Sequence, residues 1–401
     1  MSQLEGDVQS FYSKELGYQI SAPLRGGHLA DVSQSHMGHY NERSSNSMTM
    51  PVQNGLSRHN RPSGGQTNMG MDSYETGNDN SIEDFATYVN YNAVIDSVPS
   101  NDSEEYISRA LEHLLTQDMQ LWETESQKKS KELVLAKLID ILNTWMARVR
   151  EANRIPSDVA NTNAKLLCYG SYKLGVSSPT GDIDALILAP HFVDRNSDFF
   201  GRLYPLLEEL AVHNENIKDL TMVNQEHTIM PLIKMTFYNI PIDMVFAKIQ
   251  TSESIDDFIR NKMDNEEHMM HMDDKMKRSY NGYRNAEMIL KSLKNGATES
   301  IWLTMKREEI FRTTLKCIKQ WAKNNGLDSN KIGYLGGISW ALLTAKVCKL
   351  YPYKCTSRLL ERFFWLFGQE WRWDNSYVRI EKQKPNEILS RGRAMYIMTP
   401  S

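Results

Sequence analysis

The chain has 401 residues, 46 basic and 50 acidic, for a formal charge of −4. That length leaves room for more than one domain and a sizeable core. A small total charge neither requires nor excludes a nucleic-acid partner, because a local basic groove changes the total little. No stretch reaches the roughly 18 to 20 uninterrupted apolar residues of a membrane helix. The N-terminus lacks a charged-then-apolar signal pattern, so we expect a soluble intracellular protein with no membrane partner.

Four cysteines occur, and no two of them form a CxxC pair. Because they lie in apolar or helical patterns, we expect reduced thiols rather than a disulfide framework or a zinc site. They are Cys168, Cys317, Cys348 and Cys355.

The first part of the chain differs from the rest in composition. Residues 41–80 are rich in Ser, Asn and Gly and contain almost no aliphatic side chains. Such a segment cannot bury enough apolar surface to offset the entropy of ordering. We therefore predict a disordered low-complexity arm over residues 1–95. Its histidines have no regular spacing and no thiol or carboxylate partners, so we interpret them as polar residues of the arm: His28, His36, His39 and His59.

Residues 96–160 carry helical patterns. Asn101 or Ser103 can cap a first helix that has acidic residues in its first turn. A second pattern runs from Met119 to about Val149. Its apolar stripe at helical spacing consists of Leu133, Ala136, Leu138, Ile141, Leu142 and Trp145. The residue before a proline is pushed out of helical geometry, which ends this helix at Ile155-Pro156. We interpret this region as helices that support a helical domain, without chemistry of their own.

Residues 161–255 read as a mixed α/β region and residues 256–401 as mainly helical. A short apolar run ends at Gly170, a turn of helix follows, and DIDALILA has the pattern of a buried strand. A helix is predicted from Asp198 to Leu210. MPLIKMTFY and IPIDMVFA then form two strands joined at Asn239 in a hairpin. The predicted fold class is α+β: a small mixed sheet flanked by helices, with a mainly helical second domain.

Two aspartates one residue apart begin the DIDALILA strand. Residues i and i+2 of a strand point to the same face, so Asp182 and Asp184 would present two carboxylates side by side. Like charges at that distance repel unless cations neutralise them. Carboxylates with substrate phosphates are typical ligands of Mg²⁺. Acidic pairs are also common in loops and helix caps, so this pair alone predicts little.

Two further features make the pair specific. Asp243 is one charged residue inside the apolar run IPIDMVFA, where burial is costly unless the charge is paired or bound to a metal. It would complete a three-carboxylate, two-metal site for phosphoryl transfer, or it is a solvated carboxylate on an edge strand. Gly170-Ser171 lies eleven residues before the pair, where glycine lets a phosphate approach and the following amides and hydroxyl donate to it.

With these residues in place, the chain resembles the nucleotidyltransferase superfamily of the DNA polymerase β type, in which a GS element and three carboxylates define the site. Longer stretches resemble eukaryotic nuclear poly(A) polymerases more specifically, from about residue 97 onward. These stretches are YGSYKLGVSSPTGDIDALILAP, HFVDRNSDFF, IPIDMVFAK, SYNG, LKCIKQWAKNNG and IGYLGGISWALLTAKVCKLYP.

The resemblance implies a nucleotidyltransferase palm fold and template-independent transfer of AMP from ATP to an RNA 3′ end. It implies two metal ions, Mg²⁺ or Mn²⁺ in its place, held by Asp182, Asp184 and Asp243 as catalytic ligands. It also implies nuclear localisation, although the chain shows no clear localisation signal, and cleavage and polyadenylation factors as partners. The nucleotide-binding residues implied are Tyr169, Gly170, Ser171, Ser178, Asn281, Lys319, Lys323, Gly337 and Ile338.

The chain departs from the family pattern in two places. Asp328 stands where the family has a tyrosine, and an aspartate cannot stack on a base and would repel a triphosphate. After RAMYIMTPS the family continues into an RNA-binding domain, and we expect that third domain to be absent here, with weaker primer binding. Trp371-Arg372-Trp373 could form an RNA stacking platform, although such aromatic density is more typical of a core.

Two alternatives stay open. The same carboxylates serve terminal uridylyltransferases and other RNA nucleotidyltransferases, which an assay with each nucleotide would distinguish. From another class, the chain could be a weakly active regulatory or scaffold homologue, although three converging carboxylates argue against a purely structural role.

Overall fold

A computed structural model describes residues 93–156, 163–224, 228–263, 272–294 and 300–371, together with the single positions 378, 380 and 397. Residues 89–401 form one compact unit, to which everything below belongs. The predicted arm lies almost wholly outside the described residues, and so do its four histidines. Arg372 and Trp373 of the aromatic run lie outside them as well, whereas Trp371 is buried among apolar residues.

Nine α-helices occur in the described part of the chain. They are α1 (Asp102–His113), α2 (Glu125–Ala152), α3 (Gly170–Lys173), α4 (Tyr204–His213), α5 (Ile255–Asn261), α6 (Asp274–Ser292), α7 (Ile301–Asn324), α8 (Gly337–Leu350) and α9 (Thr356–Trp365). π-helical turns extend α1 over Leu114–Asp118, precede α4 over Arg195–Leu203 and extend α9 over Leu366–Glu370. A short 3₁₀ helix covers Asn330–Ile332.

Five strands form one mixed sheet. They are β1 (Lys165–Tyr169), β2 (Ile183–Ala189), β3 (Ile217–Val223), β4 (Leu232–Phe237) and β5 (Ile240–Lys248). The order across the sheet is β1-β2-β5-β4-β3. β2 and β5 are parallel and the other neighbours are antiparallel. The predicted α+β class with a small mixed sheet and flanking helices is confirmed.

Helix caps fix the boundaries of the first helices. Asn101 caps α1 in a reciprocal capping box with Glu104, as one of the two predicted caps requires. α2 starts later than the predicted Met119, because Thr124 and Gln127 form a second capping box there. The predicted stripe of α2 is wrong at Leu133, which is 54 % exposed.

The hairpin predicted at Asn239 is present. Tyr238 and Asn239 have φ values of 49° and 62°, the left-handed geometry that two-residue hairpin turns require. Phe237 pairs with Ile240 across this turn. β5 lies between β2 and β4, so Asp243 is not on an edge strand, and that interpretation of it is wrong.

Each face of the sheet is covered by helices. α2 packs on one face, where Leu138 and Trp145 lie among inward residues of β2, β4 and β5 such as Ile183 and Met244. The opposite face packs against α5 and α6, with Phe258 and Tyr280 in contact with the alternate residues of the strands. The sheet is therefore a buried layer, and the ends of its strands are the places left for a site.

Four helices of the C-terminal half form another core. α6, α7, α8 and α9 contribute to it, and it includes Trp371. Leu174 and Val176, which follow α3, also lie in this core. The segment between α3 and β2 is thus packed onto the helical part of the molecule.

All four cysteines are free, as predicted. None of the helices in the described residues combines the length and apolar character needed to cross a bilayer.

Candidate active site

Side chains from four adjacent strands form one row across the sheet. Tyr169 of β1 is the register partner of Asp184 of β2. Asp184 in turn pairs with Asp243 of β5, and Asp243 pairs with Lys234 of β4. Directly paired residues lie on the same face of a sheet. We call Tyr169, Asp184, Asp243 and Lys234 the carboxylate row.

The row lies at the end of the sheet where the two parallel strands begin. Asp182 precedes β2 and is exposed, Ile183 is fully buried, and Asp184 is half-buried. This alternation is the one predicted for Asp182 and Asp184. Residues two and four positions along from Asp184 pack against α6, so the row shares its face of the sheet with that helix.

Gly170 lets the carboxylate of Asp184 come unusually close to the backbone. Its φ is +62°, and a Cβ placed there would lie 2.1 Å from Asp184 Oδ2. Any side chain at this position would therefore collide with the carboxylate, in a backbone conformation that already favours glycine. The GS element and the second aspartate are thus in direct contact.

The electrostatics of the row leave negative charge uncompensated. Burial raises the pKa of Asp184 to about 6, with further contributions from the charges of Asp182 and Asp243. Lys234 and Lys319 oppose this rise. Burial raises the pKa of Tyr169 as well, and the same aspartates add to it. A carboxylate with a raised pKa among like charges is typical of a site that binds a cation, either alone or together with an anionic substrate.

Lys319 of α7 interacts electrostatically with the carboxylates. Burial lowers its pKa, while the charges of Asp182, Asp184 and Asp328 raise it. The predicted nucleotide-contacting lysine is therefore close enough to the site to interact with both aspartates. The charge of Asp328 also affects the pKa of this lysine. The residue that departs from the family pattern is therefore linked electrostatically to the site.

α6 contacts the row through Tyr169. A Cβ on Gly282 would lie 2.7 Å from the Tyr169 ring, so the glycine of SYNG lets the helix pack on that ring. Asn281, next to this glycine, is half-buried. The structure thus brings the SYNG element to the end of the row occupied by Tyr169.

The other predicted nucleotide-binding residues lie on α3, on the loop before β2, on α7 and at the start of α8. Ser171 is half-buried in α3, and Ser178 accepts a 2.9 Å hydrogen bond from the Gly181 amide in the turn before Asp182. Lys323 is exposed on α7, as are Gly337 and Ile338 at the start of α8. Within the described residues, the contacts that define the row include none of these three. No described atom lies within 4 Å of a Cβ placed on Gly337, so packing does not account for that glycine.

Lys234 is the member of the row that the sequence analysis missed. Its ammonium contacts Asp243 Oδ2. The predicted hairpin already contained the necessary information, because a two-residue turn at Tyr238-Asn239 places position 234 opposite position 243.

The donor set suits a hard divalent cation after one adjustment. Asp182, Asp184 and Asp243 offer only carboxylate oxygens, which Mg²⁺ prefers. Among the described residues, no three His, Cys, Asp or Glu side chains lie close enough together to form a ready-made metal site. Asp243 is paired with Lys234 instead. The three aspartates could bind a cation if the Lys234 ammonium moves away from Asp243. The negative charge around Asp184 favours binding of such a cation.

A mixed sheet with a glycine–serine element facing a DxD strand, and a third aspartate on the parallel neighbour, defines a nucleotidyltransferase. Comparison with protein families agrees. Residues 93–293 match the model of the poly(A) polymerase nucleotidyltransferase domain. Residues 310–392 match the poly(A) polymerase central domain. The chain belongs to the poly(A) polymerase family.

Curated relatives support this membership. Nuclear poly(A) polymerase 4 of Arabidopsis thaliana is 36 % identical over 259 residues, which cover 64 % of this chain and 32 % of the relative. The poly(A) polymerase of Dictyostelium discoideum is 35 % identical over 283 residues, covering 70 % of this chain and 32 % of the relative. The chain thus spans about a third of the length of these relatives.

Solved structures of RNA nucleotidyltransferases are more distant. A structure of Cid1, described for RNA terminal uridylyl transferase activity, matches with a TM-score of 0.44 and 15 % identity, covering 70 % of this chain and 78 % of that one. The polymerase core of TRAMP, an RNA surveillance complex, matches with a TM-score of 0.40 and 17 % identity, covering 69 % and 68 %. Similarity at this level carries no information about substrate.

Proposed function

We propose that this protein transfers AMP from ATP to the 3′ end of RNA without a template. The observation that carries the proposal is the contact of Gly170 with Asp184, at the point where Asp184 and Asp243 pair in register. That contact brings a phosphate-binding element and two carboxylates to one place. Membership of the poly(A) polymerase family selects adenylyl transfer to RNA among the reactions that such a site supports.

Asp182, Asp184 and Asp243 would hold two divalent ions, Mg²⁺ or Mn²⁺. Bound there, the metal would lower the pKa of the RNA 3′-hydroxyl and offset the charge of the departing pyrophosphate. For Asp243 to take part, Lys234 must leave its carboxylate, and the incoming triphosphate offers that ammonium an alternative anionic partner.

The remaining residues would bind and orient the nucleotide. The amides that follow Gly170 and the Ser171 hydroxyl would donate to triphosphate oxygens, and Ser178, in the loop that leads to Asp182, would also line the triphosphate. Lys319, whose charge interacts with the aspartates, would neutralise charge on the phosphates, as would Lys323 one helical turn later.

Recognition of the nucleoside is proposed for two helices. Asn281 on α6 directly precedes the glycine that packs on Tyr169, and we propose that its amide contacts the nucleotide. Gly337 and Ile338 begin α8, and the open space at Gly337 leaves room for a base to approach the backbone.

The biological setting is also part of the proposal. We infer an RNA 3′ end and ATP as substrates, cleavage and polyadenylation factors as partners, and the nucleus as the location, since two of the relatives are nuclear poly(A) polymerases. We further propose the division into helices at 96–160, a catalytic domain at 161–255 and a helical domain at 256–401.

The test is primer extension by the purified protein. A labelled oligo(A) primer is incubated with Mg²⁺ or Mn²⁺ and each of the four nucleotides separately. We expect ATP to be used most efficiently. Asp184→Asn, which keeps the shape and removes the charge, should lower the rate by about 10²–10³-fold or more, the scale of losing one preorganised charge contact. Asp140→Asn on the exposed face of α2 is the matched control and should match the wild type.

Three outcomes would contradict the proposal. Dominant use of UTP would make the protein a uridylyltransferase. No incorporation of any nucleotide with either metal would favour a regulatory or scaffold role. Unreduced extension by Asp184→Asn would remove the carboxylate row from the mechanism.

A further inference from the structure

The segment that connects α3 to β2, residues 174–181, is held by cationic side chains from two helices. Arg312 of α7 donates to the Leu174 carbonyl at 3.3 Å. Lys316, one helical turn further along α7, donates to the Ser177 carbonyl at 2.8 Å. From the other side, Lys131 of α2 donates to the Gly181 carbonyl at 2.8 Å. The backbone of this connecting segment is therefore fixed at its start, its middle and its end.

The two lysines are buried as deeply as core residues. Lys131 is 2 % exposed and Lys316 is 5 % exposed. A buried ammonium is costly unless its hydrogen-bonding groups are satisfied. Lys131 also donates to Ser177 Oγ at 2.8 Å and lies 2.6 Å from Glu123 Oε1. These partners offset the cost of burying the ammonium, and removing it would leave the Gly181 carbonyl and Glu123 without that donor.

Lys316 is satisfied in the same manner. Its ammonium donates to the Leu121 carbonyl as well as to Ser177, and it lies 4.6 Å from the centre of the Trp122 ring. Burial lowers the pKa of Lys316 to about 8, with the charge of Lys319 adding to the effect. A neutral amine still has two N–H groups for the two carbonyls, so these contacts persist in either protonation state.

The connecting segment leads directly to the site. Gly181, whose carbonyl Lys131 holds, immediately precedes Asp182. Lys316, which holds Ser177, lies three residues before Lys319 on the same helix, so the two lysines share a face of α7. Lys319 interacts electrostatically with Asp182 and Asp184. One set of contacts thus joins the backbone before the aspartates to the helix that carries the facing lysine.

We propose that Lys131 and Lys316 are positioning residues that fix the connecting segment 174–181 so that Asp182 and Lys319 face the same nucleotide phosphates. The expected effect of these lysines on activity rests on the proposed function, whereas their effect on the backbone of the segment does not. Leu174 and Val176 anchor the segment in the helical core. Those apolar contacts hold the segment against the helical core. The lysines fix the conformation of its backbone, because hydrogen bonds act on individual carbonyl groups.

The test combines kinetics with amide hydrogen exchange on the full chain. Lys131→Met and Lys316→Met keep the length of the side chains and remove the donors. We expect exchange in residues 174–182 to accelerate more than anywhere else, and kcat/KM for ATP to fall by roughly 10²-fold, the cost of a misplacement near 1 Å. The reduction should appear in kcat as well as in KM. Lys129→Met, on the exposed face of α2, should change neither measurement.

A second pair of variants distinguishes positioning from general stability. Lys316→Arg restores two donors and should recover most of kcat and the slow exchange, whereas a residue needed only for packing would not be rescued by a bulkier cation. Ser177→Ala removes one acceptor from the Lys131 ammonium and should accelerate exchange locally with little change in the unfolding temperature. It decides the matter if Lys131→Met fails to fold, and unchanged exchange in it would then overturn the proposal.

The failures of the two proposals are distinguishable. Exchange in 174–182 that stays at the wild-type rate in folded Met variants would overturn the positioning role, whatever the activity. Unchanged kcat and KM in these variants of an active protein would overturn it too. Absence of transfer by the wild type would refute the proposed function, and the exchange rates would still report on the lysines.

Discussion

Replacing Gly170 by alanine tests the closest contact in the site. The residue has φ +62°, and the new Cβ would lie 2.1 Å from Asp184 Oδ2 and 3.0 Å from its Cγ. Real Cβ atoms do not approach other atoms so closely, so something must shift. Gly170 is the first residue of α3 and directly follows β1, so its backbone is held in place. The Asp184 side chain must therefore move out of the row.

Two effects of different size follow from this geometry. The left-handed conformation costs an alanine about 1–2 kcal/mol, which lowers the stability. In a unit of this size that corresponds to a decrease of roughly 2–8 °C in the unfolding temperature. Relief of the collision displaces the carboxylate by about 1 Å, and a displacement of that size costs roughly 10²-fold in rate. Activity should therefore fall much further than stability.

Gly326→Ala is the matched control for this experiment. Gly326 has φ +68°, but nothing described lies within 4 Å of a Cβ placed there. Both variants bear the same kind of backbone strain, and only Gly170→Ala adds a collision with Asp184. Primer extension and thermal unfolding are measured for both. If Gly170→Ala keeps the activity of Gly326→Ala, the carboxylate is not positioned by its contact with Gly170 and the reasoning is refuted.

Two further predictions concern α7 and the segment that follows it. Because burial lowers the pKa of Lys316 from 10.5 to about 8, the unfolded chain binds more protons than the folded one between these pH values, and this lysine makes the free energy of unfolding rise with pH there. Lys316→Met lacks that contribution, so its stability measured by denaturant should fall relative to the wild type from pH 8 to pH 10.5, and a constant difference would contradict the assignment. Asp328→Tyr should lower the KM for ATP, since it removes a carboxylate whose charge acts on Lys319 and supplies a ring that can stack. Asp328→Asn separates the two causes, and an unchanged or higher KM in Asp328→Tyr would show that Asp328 does not weaken nucleotide binding.

The carboxylates could be predicted from sequence because their placement follows from local periodicity. A strand places alternate residues on one face, and extending the alternation of β2 by one residue to Asp182 brings Asp182 and Asp184 together. The hairpin at Asn239 fixed the register of β4 against β5 in the same local way, so the pairing of Lys234 with Asp243 was within reach of sequence reasoning. The parallel pairing of β2 with β5 could not be predicted in this way, because it joins strands that are far apart in the sequence and no local pattern determines it.

The strand β3 was not predicted, for a physical reason. Its exposed and buried positions do not alternate, and its register against β4 shifts between Lys218 and Thr221. Asp219 has φ 53° at this irregularity. A strand that bends in this manner has no period of two for a sequence pattern to reveal.

The buried lysines were invisible to the same reasoning for a different cause. Lys316 and Ser177 are 139 positions apart in the chain, and Lys131 and Ser177 are 46 apart. On a helix pattern a lysine indicates an exposed face, and only the tertiary fold reverses that expectation for these two. The exposed fractions of 2 % and 5 % are the observation that separates them from their solvated neighbours.

The spacing between the glycine–serine element and the aspartates acquires a structural meaning from these contacts. Tyr169 and Asp184 are register partners on antiparallel strands. The residues between them therefore leave the sheet after Tyr169 and re-enter it opposite the same residue. A connection of that length would not by itself return with a carboxylate against the bare Cα of Gly170. The return is fixed because Lys131 holds the carbonyl that precedes Asp182 and Lys316 holds the middle of the path. A chain with the same motif but without two such donors would need other groups for those carbonyls, since a buried backbone acceptor left unpaired is costly. The motif therefore specifies which groups do the chemistry, and the lysines of α2 and α7 specify where those groups stand.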